Sequence, residues 1–153
     1  DDAETLHDRL ARMGAALLVR TIPDLVAGRI VAQPQPAEGI SHAPKIRKQD
    51  GCIDWHQPAR VIWNRVRGLV PWPGAFSFLA AQPHPHLLKI WRAEVTQRSG
   101  PPGEVLQAGK EGIVVGCGCE ALQIRTLQRE GGRRLDAQAF LAGHPLHPGQ
   151  KLG

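Results

Sequence analysis

The stretch "QPQPAEGISHAPK" (33–45) constrains this chain more than any other feature. It holds three prolines and one glycine and lacks periodicity, so it reads as an extended linker with some polyproline character. Any core must be built on one side of it. Before the linker, Leu6, Leu10, Met13 and Leu17 carry the i, i+4, i+7 spacing of an amphipathic helix. That helix is expected to begin at Asp2 or Ala3 and to break near Pro23. "PDLVAGR" then gives a separate short turn of helix ending at Gly28. The apolar stripe needs a partner that the surrounding residues do not supply, so this piece reads as the last helix of a larger domain.

The linker also separates two charge regimes. Residues 1–44 carry four arginines against six carboxylates, a balance of −2, whereas residues 45–153 carry 15 Lys and Arg against eight, a balance of +7. A basic module of this kind suits a polyanion. The composition is globular, and no apolar run approaches the ~18 residues of a membrane span. The acidic start "DDAETLHDRLARMG" lacks the basic and apolar regions of a signal peptide, and the missing initiator Met suggests a shortened or processed chain. Cys52, Cys117 and Cys119 are an odd number, which argues against a disulfide framework and for a reducing compartment. The "CGC" pair has no second cysteine pair to complete a zinc site, so no metal is expected.

Past the linker, "QPARVIWNRVRGL" (57–69) reads as a helix with Pro58 in its first turn. Ala59, Ile62, Val66 and Leu69 form its core stripe, and Arg60, Asn64 and Arg67 its outer face. The helix stops at "PWPG". There, each proline pushes the residue before it, Val70 or Trp72, to extended conformations, and Gly74 turns the chain. This run reads as a rigid joint. Five short strands follow: "AFSFLA", "HLLKIWRAEV", "GEVLQA", "GIVVGC" and "ALQIRTLQ". "HLLKIWRAEV" alternates imperfectly, as a strand bent around a small barrel does. A final helix, "DAQAFLAG", starts from Asp136 as N-cap. The expected class is α+β, an OB-like small β-barrel with flanking helices.

The chain contains no phosphate-cradling or nucleophile-elbow motif. His84 and His86, set among prolines, read as solvated loop residues, and Asp50 and Asp54 as charge balance for the neighbouring "KIRK". No catalytic residue is expected. The cations are more telling. Lys45, Arg47 and Lys48 leave the linker together, Arg65 and Arg67 close the helix, and Lys89 lies with Arg92 on one strand. Arg125, Arg129, Arg133 and Arg134 cluster in "QIRTLQREGGRRL". Small barrels bind nucleic acid through a cationic groove and aromatic platforms, here Trp72 and Trp91. The other reading of both tryptophans is packing, with "PWPG" as a hydrophobic plug. Cations spread over linker, helix and barrel suit folded RNA, which is met largely through shape and phosphates.

In order along the chain, "LHDRLARMGAALL", "APKI", "IDW", "VRGLVPWPGAF" and "LQREGGRRLDAQAFLAG" resemble the C-terminal half of the methionyl-tRNA formyltransferase family. The resemblance implies that residues 1–32 are the terminal remnant of a Rossmann-like formyltransferase catalytic domain. Residues 33–50 would then be a basic interdomain linker and 51–153 the OB-like C-terminal domain. It implies a parent enzyme that uses 10-formyltetrahydrofolate to formylate the methionyl group of initiator tRNA in translation initiation. The family's catalytic motifs match nothing here, so the fragment alone is expected to be inactive and to bind no cofactor. Its implied partner is initiator methionyl-tRNA, met by the linker and barrel cations. A monomer without membrane contact is expected, in the cytoplasm or an organellar matrix. Two further readings stay open. One is the C-terminal domain of another formyltetrahydrofolate-dependent enzyme, a sugar or amine N-formyltransferase or formyltetrahydrofolate dehydrogenase. The other is a free-standing structural or interaction barrel.

Overall fold

A computed structural model describes residues 1–80 and 84–153, which fall into two compact units, Asp1–Ile46 and Arg47–Gly153. In the first, α1 spans Ala3–Val26. Asp2 caps it by accepting from the Thr5 amide at 2.8 Å, while Thr5 Oγ1 accepts from the Asp2 amide at 3.0 Å. The expected break at Pro23 does not occur. A proline this near a helix end removes one donor only, and the chain winds on, with the Ala27 amide bonded to the Pro23 carbonyl at 3.0 Å. The separate turn expected over "PDLVAGR" is therefore the end of α1. None of the residues of α1 is buried, and Leu10, Met13 and Leu17 stand exposed.

The second unit begins with a 3-10 turn at Lys48–Gly51, followed by α2 (Ala59–Gly68). Six antiparallel strands then form one sheet: β1 (Ala75–Leu79), β2 (His86–Thr96), β3 (Val105–Gly109), β4 (Gly112–Gly116), β5 (Ala121–Arg129) and β6 (Leu135–Asp136). The spatial order is β1-β2-β5-β4-β3, with β6 paired to β5. The sequence suggests five strands; the sixth, two residues long, is too short to carry a period. The C-terminal residues tie the sheet's two ends. The Gly153 amide donates to the Phe78 carbonyl at 2.9 Å, the Leu152 amide to Gly103 at 2.8 Å, and the Val105 amide to Gln150 at 2.8 Å. Edge strands β1 and β3 are thus covered, which removes unpaired backbone from water.

The core lies between the sheet's inner face and two helices. Ala59, Ile62 and Val66 of α2, and Phe140 of α3 (Ala137–Gly143), close over Ile90, Ile124 and Leu127. Asp136 caps α3 by accepting from the Ala139 amide at 2.7 Å, as its position before the helix leads one to expect. Leu69, expected in the α2 stripe, is only half-buried. The helix ends at Gly68, and Val70, 6% exposed, takes the inward place. One buried polar pair lies in this core: Trp55 Nε1 donates to Ser77 Oγ at 2.9 Å.

Candidate nucleic-acid interface

The joint after α2 positions the first part of the surface. The Gly74 amide closes it on the Leu69 carbonyl at 2.9 Å, with Gly74 at φ +77°. The peptide bonds before Pro71 and Pro73 are both cis. The 3-10 turn presses against this joint: a Cβ on Gly51 would sit 2.3 Å from the Gly74 carbonyl oxygen, so only glycine fits there. Val70 and Pro73 are buried and Trp72 between them is not. With 59% of its surface exposed, Trp72 is no hydrophobic plug. The joint's inward positions fall to its neighbours.

A pair of bulges builds the second part. Ile90 faces Leu127 and Arg92 faces Thr126, which leaves Trp91 as the extra residue on β2. Ala93 then faces Ile124, which leaves Arg125 as the extra residue on β5. Strict alternation would send either Trp91 or Arg92 into the core. The bulge instead leaves Ile90 and Ala93 buried with two outward residues between them. This is the physical content of the imperfect alternation in "HLLKIWRAEV".

Trp91 is the centre of the outer cluster. Its indole Nε1 donates to Gln128 Oε1 at 3.0 Å, the Arg134 guanidinium lies 3.7 Å above the ring centroid, and Lys89 Nζ lies 5.6 Å from it. The joint abuts this cluster, since a Cβ on Gly74 would stand 3.7 Å from Lys89 Cδ and 3.9 Å from Trp91 Cη2. Exposed Trp72 lies two residues along the chain. Neither Lys89 nor Arg134 has a carboxylate partner among the described residues. Two unneutralised cations, one half-buried indole and one exposed indole therefore share one region. Such a surface can hold a phosphate and stack a planar group.

The remaining sequence-derived cations have different fates. Lys45 is exposed and belongs to the first unit. Arg65 reaches the turn that carries Arg47 and Lys48: its guanidinium donates to the Asp50 carbonyl, and the Arg47 amide donates to Asp50 Oδ2 at 2.7 Å. Arg65 also lines a cleft of about 350 Å³ with Cys52, Asp54 and Gln57. Hydrogen bonds from the Gln57 side chain and the His56 amide hold the Asp54 carboxyl below its usual range. Arg67 is spent on packing: it lies 3.8 Å over Trp63, which Arg60 approaches at 4.9 Å. Trp63 in turn donates to the Ala93 carbonyl at 2.9 Å, beside the bulge. Arg125 is neutralised by Glu94 at 2.8 Å. Arg129 donates to His86 Nε2 at 2.8 Å and to His144 Nε2 at 3.0 Å. His86, expected in a solvated loop, is thus half-buried at the start of β2. Arg133 is exposed and lines a cleft of about 330 Å³ with Arg129 and His144.

Sequence reasoning missed Gln128, Trp63 and the two histidines. The Arg60, Trp63 and Arg67 spacing along one helix was a usable signal for the arginine–indole stack. Nothing local announced the histidines, which meet Arg129 from β2 and from the end of α3.

Comparison with known proteins agrees with this architecture. The family described as "Formyl transferase, C-terminal domain" matches residues 45–145. Among curated relatives, methionyl-tRNA formyltransferase from Citrifermentans bemidjiense is 46% identical over all of this chain and 47% of its own length. The protein of the same name from Geobacter sulfurreducens is 43% identical over the same shares. The chain thus spans about half the length of the curated relatives it matches. Among solved structures, HypX from Aquifex aeolicus in complex with tetrahydrofolic acid superposes with a TM-score of 0.57. It is 21% identical, over 81% of this chain and 22% of that one, a likeness of fold.

Proposed function

Since the chain belongs to the formyl transferase C-terminal domain family, we propose that it is the tRNA-gripping portion of a methionyl-tRNA formyltransferase. In this reading residues 1–32 end a Rossmann-like catalytic domain, 33–50 form a basic linker and 51–153 an OB-type barrel. The parent enzyme carries the formyl group from 10-formyltetrahydrofolate to the methionyl amine on initiator tRNA, in the cytoplasm and as a monomer. The catalytic groups belong to the upstream domain, and the present chain supplies affinity and placement. The observation that carries the reading is the Lys89–Trp91–Arg134 cluster beside exposed Trp72, in a unit of strongly positive balance. A small substrate has no use for an open cationic surface, whereas a folded RNA presents many phosphates to it. Arg47, Lys48 and Arg65 give a second basic group in the same unit.

Fluorescence anisotropy of labelled initiator tRNA against the 153-residue chain, at several salt concentrations, tests this. The expected result is affinity that falls steeply with salt, with a log–log slope of several units, each phosphate contact contributing about 0.7–0.9. Absence of binding at low salt, with binding of a sugar nucleotide instead, would move the chain to a small-molecule formyltransferase.

A further inference from the structure

We propose that Trp72 is a stacking platform for one unpaired RNA base, and that Lys89 and Arg134 hold the phosphate of that nucleotide. This rests on the tRNA reading above and names what the cluster takes. Val61 and Trp72 are the only large hydrophobic residues exposed among the described residues of the second unit, at 41% and 59%. Trp72 is the only one of the two with a face that a nucleobase can cover. This indole keeps more than half of its surface in water, while Val70 and Pro73 beside it are buried.

The surroundings select the occupant. The Arg134 guanidinium carbon lies 3.7 Å from the Trp91 ring centroid, a cation–π contact that consumes none of its N–H donors in an ion pair. Lys89 Nζ lies 5.6 Å from the same ring, also without a carboxylate partner among the described residues. A phosphate drawn to this ring would find a guanidinium and an ammonium there, both able to donate charge-assisted hydrogen bonds. Cations interleaved with aromatic faces are the pattern of single-strand binding, in which the bases stack and the groove tracks the backbone. A paired A-form helix buries its base faces in its own stack, so the indole discriminates for an unpaired nucleotide. Flanking prolines fix much of the backbone in advance, which lowers the entropy lost when the base docks. An apolar protein segment would cover the indole but leave two cations desolvated and unmatched.

The test titrates the 153-residue chain with two labelled RNAs, a single strand of about 12 nucleotides and a blunt duplex of equal length, by anisotropy at several salt concentrations. Trp72→Ala should weaken the single strand about 5- to 150-fold, the equivalent of one base–aromatic stack, with less than about a 2-fold change for the duplex. The salt slope should stay as in the parent, and Trp72→Phe should keep most of the affinity. Equal weakening of both RNAs, or no weakening of the single strand, overturns the proposal. If the parent binds tRNA with a steep salt slope while Trp72→Ala changes nothing, this inference alone falls. If the parent binds no RNA at low salt, the tRNA reading falls with it.

Discussion

Arg134 and Arg125 differ in what already holds them, and that difference predicts unequal effects on RNA binding. Arg134 lies 3.7 Å over Trp91, a contact that leaves its charge unneutralised. Arg125 donates to Glu94 Oε2 through Nη2 at 2.8 Å and through Nε at 3.2 Å, and also reaches the Glu111 carbonyl. On the proposed reading Arg134 meets one phosphate, so Arg134→Ala should reduce the salt slope by about 0.7–0.9 and weaken binding irrespective of sequence. Its cost to folding should be about 0.5–1 kcal/mol, the size of an exposed cation–π contact. Arg125→Ala should change the slope by much less, because the pair with Glu94 is formally neutral. Glu94→Gln should then free the Arg125 charge and tighten binding. The assay is the same anisotropy titration, run for all three variants beside a denaturant melt. An Arg125→Ala loss as large as that of Arg134→Ala would refute the reasoning, since ion pairing would then not withhold charge from RNA.

Three further expectations concern the scaffold. Phe140, 1% exposed and stacked on His144 at 4.9 Å, anchors α3 to the sheet, and Phe140→Ala should cost about 3–5 kcal/mol in guanidinium unfolding. Deleting residues 150–153 removes buried Leu152 and the three backbone bonds that tie the sheet's ends. The loss should be about 3–7 kcal/mol, with faster exchange at the Val105 amide. Burial pushes the Cys117 thiol from its ordinary 9.0 up to about 12, whereas Cys52 and Cys119 are exposed. Iodoacetamide at pH ~8, below the ordinary thiol value, should label Cys52 and Cys119 in the native chain and Cys117 only after unfolding. Because the folded value is raised, the stability from keeping Cys117 neutral is full below the unfolded value and is lost as pH climbs toward 12.

Local sequence signals suffice for the proline-rich stretch 33–45, the change of charge across it, both helices of the second unit and the five longer strands. Each of these is written in local terms: proline density, a 3.6-residue or 2-residue period, or an N-cap such as Asp136. The sequence also named Trp91 and its cations as candidates, because composition alone marks basic residues near an aromatic. Tertiary structure decided which of those cations remain available. Arg125 and Arg134 look alike in "QIRTLQREGGRRL", yet one meets Glu94 across the sheet and the other meets Trp91. Those partners lie more than thirty residues away in sequence, as the Arg125–Glu94 separation of 31 shows, so no local rule could assign them. Trp72 turned outward for a similar reason: inward room at the joint was already filled by Val70 and Pro73. Closure of the sheet by residues 150–153 was equally hidden, since an isolated bridge has no period to read. Local propensity fixes which elements form; competition for a finite interior and for a few opposite charges fixes which side chains are left over to act.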